Sequence, residues 1–144
     1  MKRGSALIVF FVVVLSACSP TAQPGAGNKS AVKLAPVSQM PAEVRQAPAT
    51  VREAYQFAVA NPQVLEQVPC YCGCGSIGHK SNLACYIQER KPDGGVKFDD
   101  HALGCSLCVD IARDSMRMTG EGKSLEEIRA AIVSSYSQFG PPNQ

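Results

Sequence analysis

The sequence predicts an all-α protein: a small four-helix domain with a long Cys/Gly-rich loop, preceded by a signal peptide and a flexible tether. Three observations carry that prediction. Apolar residues recur at helical spacing over Val51, Ala54, Tyr55, Ala58 and Val59, and again over Leu125, Ile128, Ile132, Tyr136 and Phe139. Capping and stop residues bracket these runs. Between Cys70 and about Lys97 the periodicity fades, Gly73, Gly75, Gly78, Gly94 and Gly95 punctuate the chain, and six of the seven cysteines fall between Cys70 and Cys108.

Residues 1–17 read as a lipoprotein signal peptide. Lys2 and Arg3 are followed by the ten-residue apolar run Ala6 to Leu15, and a membrane-spanning helix needs about 20 such residues. Leu15-Ser16-Ala17-Cys18 resembles a bacterial lipobox, which implies cleavage before Cys18 and lipid on its sulfur. Residues 18–40 are rich in Pro, Gly, Ala, Ser and Gln and read as a lipidated flexible tether. Residues 41–144 form the Cys-rich helical domain, with one modest core.

Within that domain the first helix is expected to open at Thr50, with Glu53 completing a capping box. Asn61-Pro62 then looks like a cap and a first-turn proline for a short helix over 62–67, stopped by Pro69. Asn82 to Gln88 has the makings of a helical turn. The third helix is expected from Asp99 or Asp100 to about Met118, with Cys105, Cys108, Val109, Ala112 and Met116 on one face. Ser124 and Glu127 form a second capping box for the fourth helix, which Gly140-Pro141-Pro142 ends.

The chemistry has to reside in sulfur and imidazole, the softest ligands available to a protein. The candidate ligands are Cys70, Cys72, Cys74, His79, Cys85, His101, Cys105 and Cys108. Cys70, Cys72 and Cys74 alternate along one loop, and neighbours at that spacing pair poorly because a disulfide needs Cα atoms about 4.4–6.8 Å apart with converging Cβ vectors. They suit a shared cation or three separate partners. Cys105-Ser106-Leu107-Cys108 is a CxxC near a helix start, as suitable for a chelate as for a redox dithiol. Val109 stands where c-type haem attachment would need histidine, so no haem is expected. A lone histidine is ordinarily a packing or surface residue, but both histidines of this chain fall in the cysteine region, as ligands or as groups that tune thiol ionisation. Met116 reads first as core filler, although a thioether there would suit Cu(I).

Other classes fall away. A net charge of +2 without a basic block gives no nucleic-acid surface. No phosphate loop, paired carboxylates or Ser/His arrangement assigns a catalytic residue, so enzyme activity is the lesser expectation. Three readings remain open. The first is a membrane-tethered protein binding Cu(I) or zinc, with an envelope metalloprotein client or a thiol reductant as partner. The second is a disulfide-stapled partner-binding domain, the default for six cysteines outside the cytoplasm. The third is a thiol–disulfide oxidoreductase using Cys105 and Cys108.

Pro69-Cys70-Tyr71-Cys72-Gly73-Cys74, Gly78-His79-Lys80-Ser81, Cys85, His101 and the Cys105–Cys108 pair resemble the bacterial lipoproteins named for their PCYCGC motif. Ala60-Asn61-Pro62 and Glu127-Ile128-Arg129 with Tyr136 also fit, so the resemblance covers about Ala49 to Gly140. It implies lipidation, export to the cell envelope and one helical domain, and says little about activity, since that family is functionally uncharacterised. Gly122-Lys123-Ser124, Glu127-Ile128 and Tyr136 after a CxxC are more weakly similar to CcmH-like cytochrome c maturation thiol proteins, with a shorter spacer after Cys108.

Overall fold

Proline sets both helix entries at the start of the domain. Pro41 precedes α1 (Ala42–Gln46) and Pro48 precedes α2 (Ala49–Ala60), and the Pro48 carbonyl accepts the Val51 and Arg52 N–H groups. This displaces the expected Thr50 cap: Thr50 sits inside the first turn and its capping box with Glu53 does not form. A proline, with φ already near the helical value, overrides a weaker Thr/Glu signal two residues on. The computed structural model describes residues 31–143; the expected signal peptide, Cys18 and the first part of the tether lie outside that span.

After α2 the chain continues as α3 (Pro62–Gln67), the strands β1 (Ile87–Arg90) and β2 (Val96–Phe98), α4 (Ser106–Gly120) and α5 (Leu125–Tyr136). Short 3-10 turns occupy Val37–Gln39, Cys74–Ile77, Asn82–Cys85, His101–Leu103 and Ser137–Phe139. The domain is thus mostly helical, but the expectation of an all-α fold is corrected by a hairpin. Its strands pair antiparallel, Ile87 with Phe98 and Arg90 with Val96, with a bulge between Ile87 and Glu89. Asp93 Oδ1 accepts the Gly95 N–H at 2.8 Å, and Gly94 takes a φ of +86° that closes the turn.

Pro62 occupies the first turn of α3 as expected, but the Asn61 side chain does not cap. Its Nδ2 donates to the carbonyls of Lys33 and Phe57 instead. Gln56 Nε2 likewise donates to the Ala35 carbonyl at 2.6 Å, while Ala35 N–H bonds back to Gln56 O. Ala35 and Met40, the latter 1% exposed, are buried, so the last part of the segment read as tether lies packed on α2.

The core forms where α2 packs against α4. Tyr55, Phe57 and Ala58 meet Cys108, Ile111 and Ala112, all fully buried. α4 begins at Ser106, with Cys105 as an extended N-cap, and the expected opening at Asp99 or Asp100 is taken by the 3-10 turn instead. Met116 is half-buried and lines a surface cavity with Arg113, Arg117, Tyr136 and Phe139, away from the cysteines. Among the described residues no helix is long and apolar enough to cross a membrane.

α5 carries the capping box that Ser124 and Glu127 predict: Ser124 Oγ accepts the Glu127 N–H at 3.2 Å, and Glu127 Oε2 accepts the Ser124 N–H at 2.8 Å. Its buried stripe is narrower than expected. Ile128 and Ile132 are buried, Leu125 and Tyr136 are half-buried, and Phe139 is exposed. Ser124→Ala should cost about 1 kcal/mol in a urea titration, the usual worth of such a cap. The bond from Ser124 N–H also holds the Glu127 carboxyl below its ordinary range. A depressed native pKa stabilises above the unfolded value and loses that contribution as pH falls through the native one. Glu127→Gln should therefore flatten the acid limb of the stability curve.

Candidate metal centre

Two left-handed glycines shape the sulfur loop. Gly73 at φ +78° and Gly78 at φ +91° bracket the 3-10 turn that carries Cys74, conformations that side chains with a Cβ resist. The loop is then fastened at both ends. Asn82 N–H donates to the Val68 carbonyl at 2.8 Å. Asn143, from the far end of the domain, accepts the Cys70 N–H on Oδ1 at 2.7 Å, and its own N–H donates to Cys70 O. Its Nδ2 also donates to the Ser81 carbonyl at 3.4 Å and to Cys74 Sγ at 3.7 Å.

The fastened loop lies over the start of α4. Cys108, in the first turn of that helix, places its sulfur 3.5 Å from Cys70 and 3.4 Å from Cys85. Cys70 lies 3.4 Å from Cys72, and Cys74 lies 3.8 Å from Cys85. Cys72 Sγ is 3.6 Å from His101 Nε2. Two four-donor groups result, in each of which all ligand atoms lie within 4.8 Å of one another: Cys70, Cys72, Cys74 and Cys85, and Cys72, His101, Cys105 and Cys108. Seven of the eight expected ligands thus converge.

His79 is the eighth, and it stands outside both groups. Its Nε2 lies 3.4 Å from Asp99 Oδ2, its ring packs edge-on to His101 at 5.2 Å, and its buried Nδ1 has no hydrogen-bond partner. The other carboxylate oxygen of Asp99 accepts the backbone N–H of His101 at 2.9 Å, so Asp99 joins the His79 ring to the main chain that carries His101. Tyr55 OH fixes the same residue by donating to its carbonyl at 2.8 Å. Beneath the sulfurs, Tyr86 OH and Asn82 Nδ2 both donate to the Cys108 carbonyl, at 2.7 and 3.2 Å.

All six thiols among the described residues are free, and their separations far exceed the ~2.05 Å of a disulfide. They match the edge of a metal tetrahedron: a metal–sulfur bond of about 2.3 Å sets ligand sulfurs about 3.8 Å apart. Electrostatics limit how many of these thiols ionise together. Bonds from the Cys108 and Cys85 thiols hold Cys70 well below the usual thiol range. The others move the opposite way. Burial, then bonds with Cys74 and Cys70, push Cys72 up to about 12. Cys108 is raised by donating to Cys70 and Cys85 and by burial. At Cys85 support from the Cys108 thiol is outweighed by donation to Cys70, burial and repulsion from Cys70 and Cys74. One thiolate at a time is tolerated without a cation; several require positive charge among them.

The model of the family described as protein of unknown function with PCYCGC motif matches residues 8–144. The chain belongs to the PCYCGC family. No curated protein and no solved structure matches it. In this PCYCGC protein the motif that names the family supplies three of the four donors of the first group and, through Cys72, one of the second. Sequence reasoning missed Asn143, Asp99, Tyr86 and Asn82 as supports of the site. Asp99 reads as a helix cap, and a single asparagine after two prolines carries no pattern at all.

Proposed function

We propose that this PCYCGC protein is an exported lipoprotein, tethered to a bacterial membrane through Cys18, whose extracytoplasmic domain binds a soft metal ion, Cu(I) or Zn²⁺, through its Cys/His cluster. The observation that carries the reading is the convergence of six thiols and His101 Nε2 into two four-donor groups. Thiolate and imidazole donors favour soft and borderline ions such as these over Mg²⁺ or Ca²⁺. The lipobox and the tether-like composition of residues 18–40 support a membrane-anchored metal accessory that meets envelope clients at the membrane surface. Loading displaces protons from the thiols, so retention weakens as the medium acidifies.

The test is intact mass of the native protein, with and without reductant, read beside elemental analysis. Retained copper or zinc with all six described thiols reduced supports the reading, and the element found separates the two ions. A metal-free protein carrying three disulfides overturns it in favour of a stapled partner-binding domain.

A further inference from the structure

We infer that the centre is binuclear and asymmetric: two four-coordinate divalent d¹⁰ ions share the Cys72 thiolate, one held deep by sulfur alone and one exchangeable beside His101 and Cys105. The inference rests on the metal-binding reading above and deepens it. Its basis is a count of donors. The two groups together contain seven different residues, and two tetrahedral ions need eight coordination positions. Cys72 is the residue the two groups have in common, so its use as a bridge completes both tetrahedra without an outside ligand, and Cys108 of the second group abuts the first at Cys70 and Cys85. The Cys72 sulfur lies 3.4 Å from Cys70 in one half and 3.6 Å from His101 Nε2 in the other.

The chemistry of the set names the class of ion. Cu(I) is held by thiolates with two or three donors, whereas complete four-donor sets suit a divalent d¹⁰ ion such as Zn²⁺. Six thiolates around two such ions leave a net charge of about −2, and the N-terminus of α4 opens onto the cluster at Cys105 and favours negative charge.

The two halves differ in their access to water. In the all-sulfur half, Cys70, Cys74 and Cys85 are all buried, at 0%, 4% and 0% exposure. In the other half His101 and Cys105 are only half-buried, and Cys105 lines a surface cavity of about 420 Å³ with Thr50, Val51, Gly104 and Ser106. An incoming ligand reaches the Cys105 sulfur through that cavity without disturbing the loop. The deep ion therefore secures the fold, and the outer ion is the one that can pass to a partner's thiolate by ligand exchange, with no electron transferred.

The experiment uses the whole chain, solubilised in detergent, reduced, and loaded with Cd²⁺ enriched in an NMR-active isotope. Two cadmium resonances of equal intensity are expected, each split by the other through the shared sulfur. A chelator should bleach the resonance of the sulfur–imidazole half first, and Cys105→Ser should shift or abolish that resonance while the all-sulfur one persists. Cys72→Ser should remove the splitting; should that variant not fold, the splitting in the parent protein still decides the bridge. One bound ion, two resonances without mutual splitting, or earlier loss of the all-sulfur ion would each overturn the inference while leaving metal binding intact. A reduced protein that takes up no cadmium overturns the binuclear inference, and one that takes up neither cadmium nor Cu(I) overturns metal binding as well.

Discussion

Withdrawing the metal from the reduced protein with excess chelator should lower its thermal midpoint by about 20 °C. An ion present at a thousandfold excess over its dissociation constant stabilises the native state by about 4 kcal/mol, and in a domain of this size each kcal/mol moves the midpoint by roughly 5 °C. The loss should not be uniform. The helices α2, α4 and α5 share an apolar core to which they contribute a single candidate ligand, Cys108, whereas the chain from Cys70 to Cys85 has only two short 3-10 turns of its own. Without a cation the crowded thiols there repel once more than one ionises. Amide exchange should therefore accelerate first in that loop, with α5 protected until global unfolding. A midpoint that moves by no more than a degree or two would show that the fold does not depend on the site.

The second large effect is expected at Tyr86. Its ring is fully buried and meets Tyr55 edge-on, with centroids 4.9 Å apart, and its hydroxyl donates to the Cys108 carbonyl. Tyr86→Ala should cost about 3–5 kcal/mol, the range for deleting a large buried ring. Tyr86→Phe keeps the ring and removes one buried hydrogen bond, a loss of about 1 kcal/mol. The informative quantity is the metal affinity of the Phe variant. The hydroxyl sets the backbone that carries the Cys108 sulfur, so affinity should drop by more than the fall in apo-protein stability alone predicts. Equal losses in both would reduce Tyr86 to an ordinary core residue.

How much of this was legible in the sequence depends on the range of the interaction involved. The α5 capping box and the first-turn proline of α3 are local devices, and both appear where Ser124, Glu127 and Pro62 place them. The concentration of donors was legible too, as composition. What composition could not supply was grouping. Nothing in the spacing says that Cys85 joins Cys74 while Cys105 joins His101, because the loop's path over α4 decides it. His79 stands outside both groups for the same reason: the sequence does not separate it from His101, whereas the fold turns its Nε2 to Asp99 Oδ2 and turns His101 Nε2 to Cys72 Sγ. The hairpin was missed although Pro92-Asp93-Gly94-Gly95 is a strong turn signal, because its strands are too short for alternation to register. Thr50 failed against Pro48, where one local rule outweighed another.

The Asn143 clasp bears on the order in which the molecule is assembled. It reaches across 73 positions to Cys70, among the most distant pairings of the described residues, and a contact of such separation has to meet a large loop-closure cost before it forms. A polypeptide still emerging carries every one of its thiols before it possesses the residue that seats them. On the export proposed above, oxidative mispairing would have its window during that interval, and a reductant acting alongside translocation would protect the nascent chain better than one that meets the finished protein.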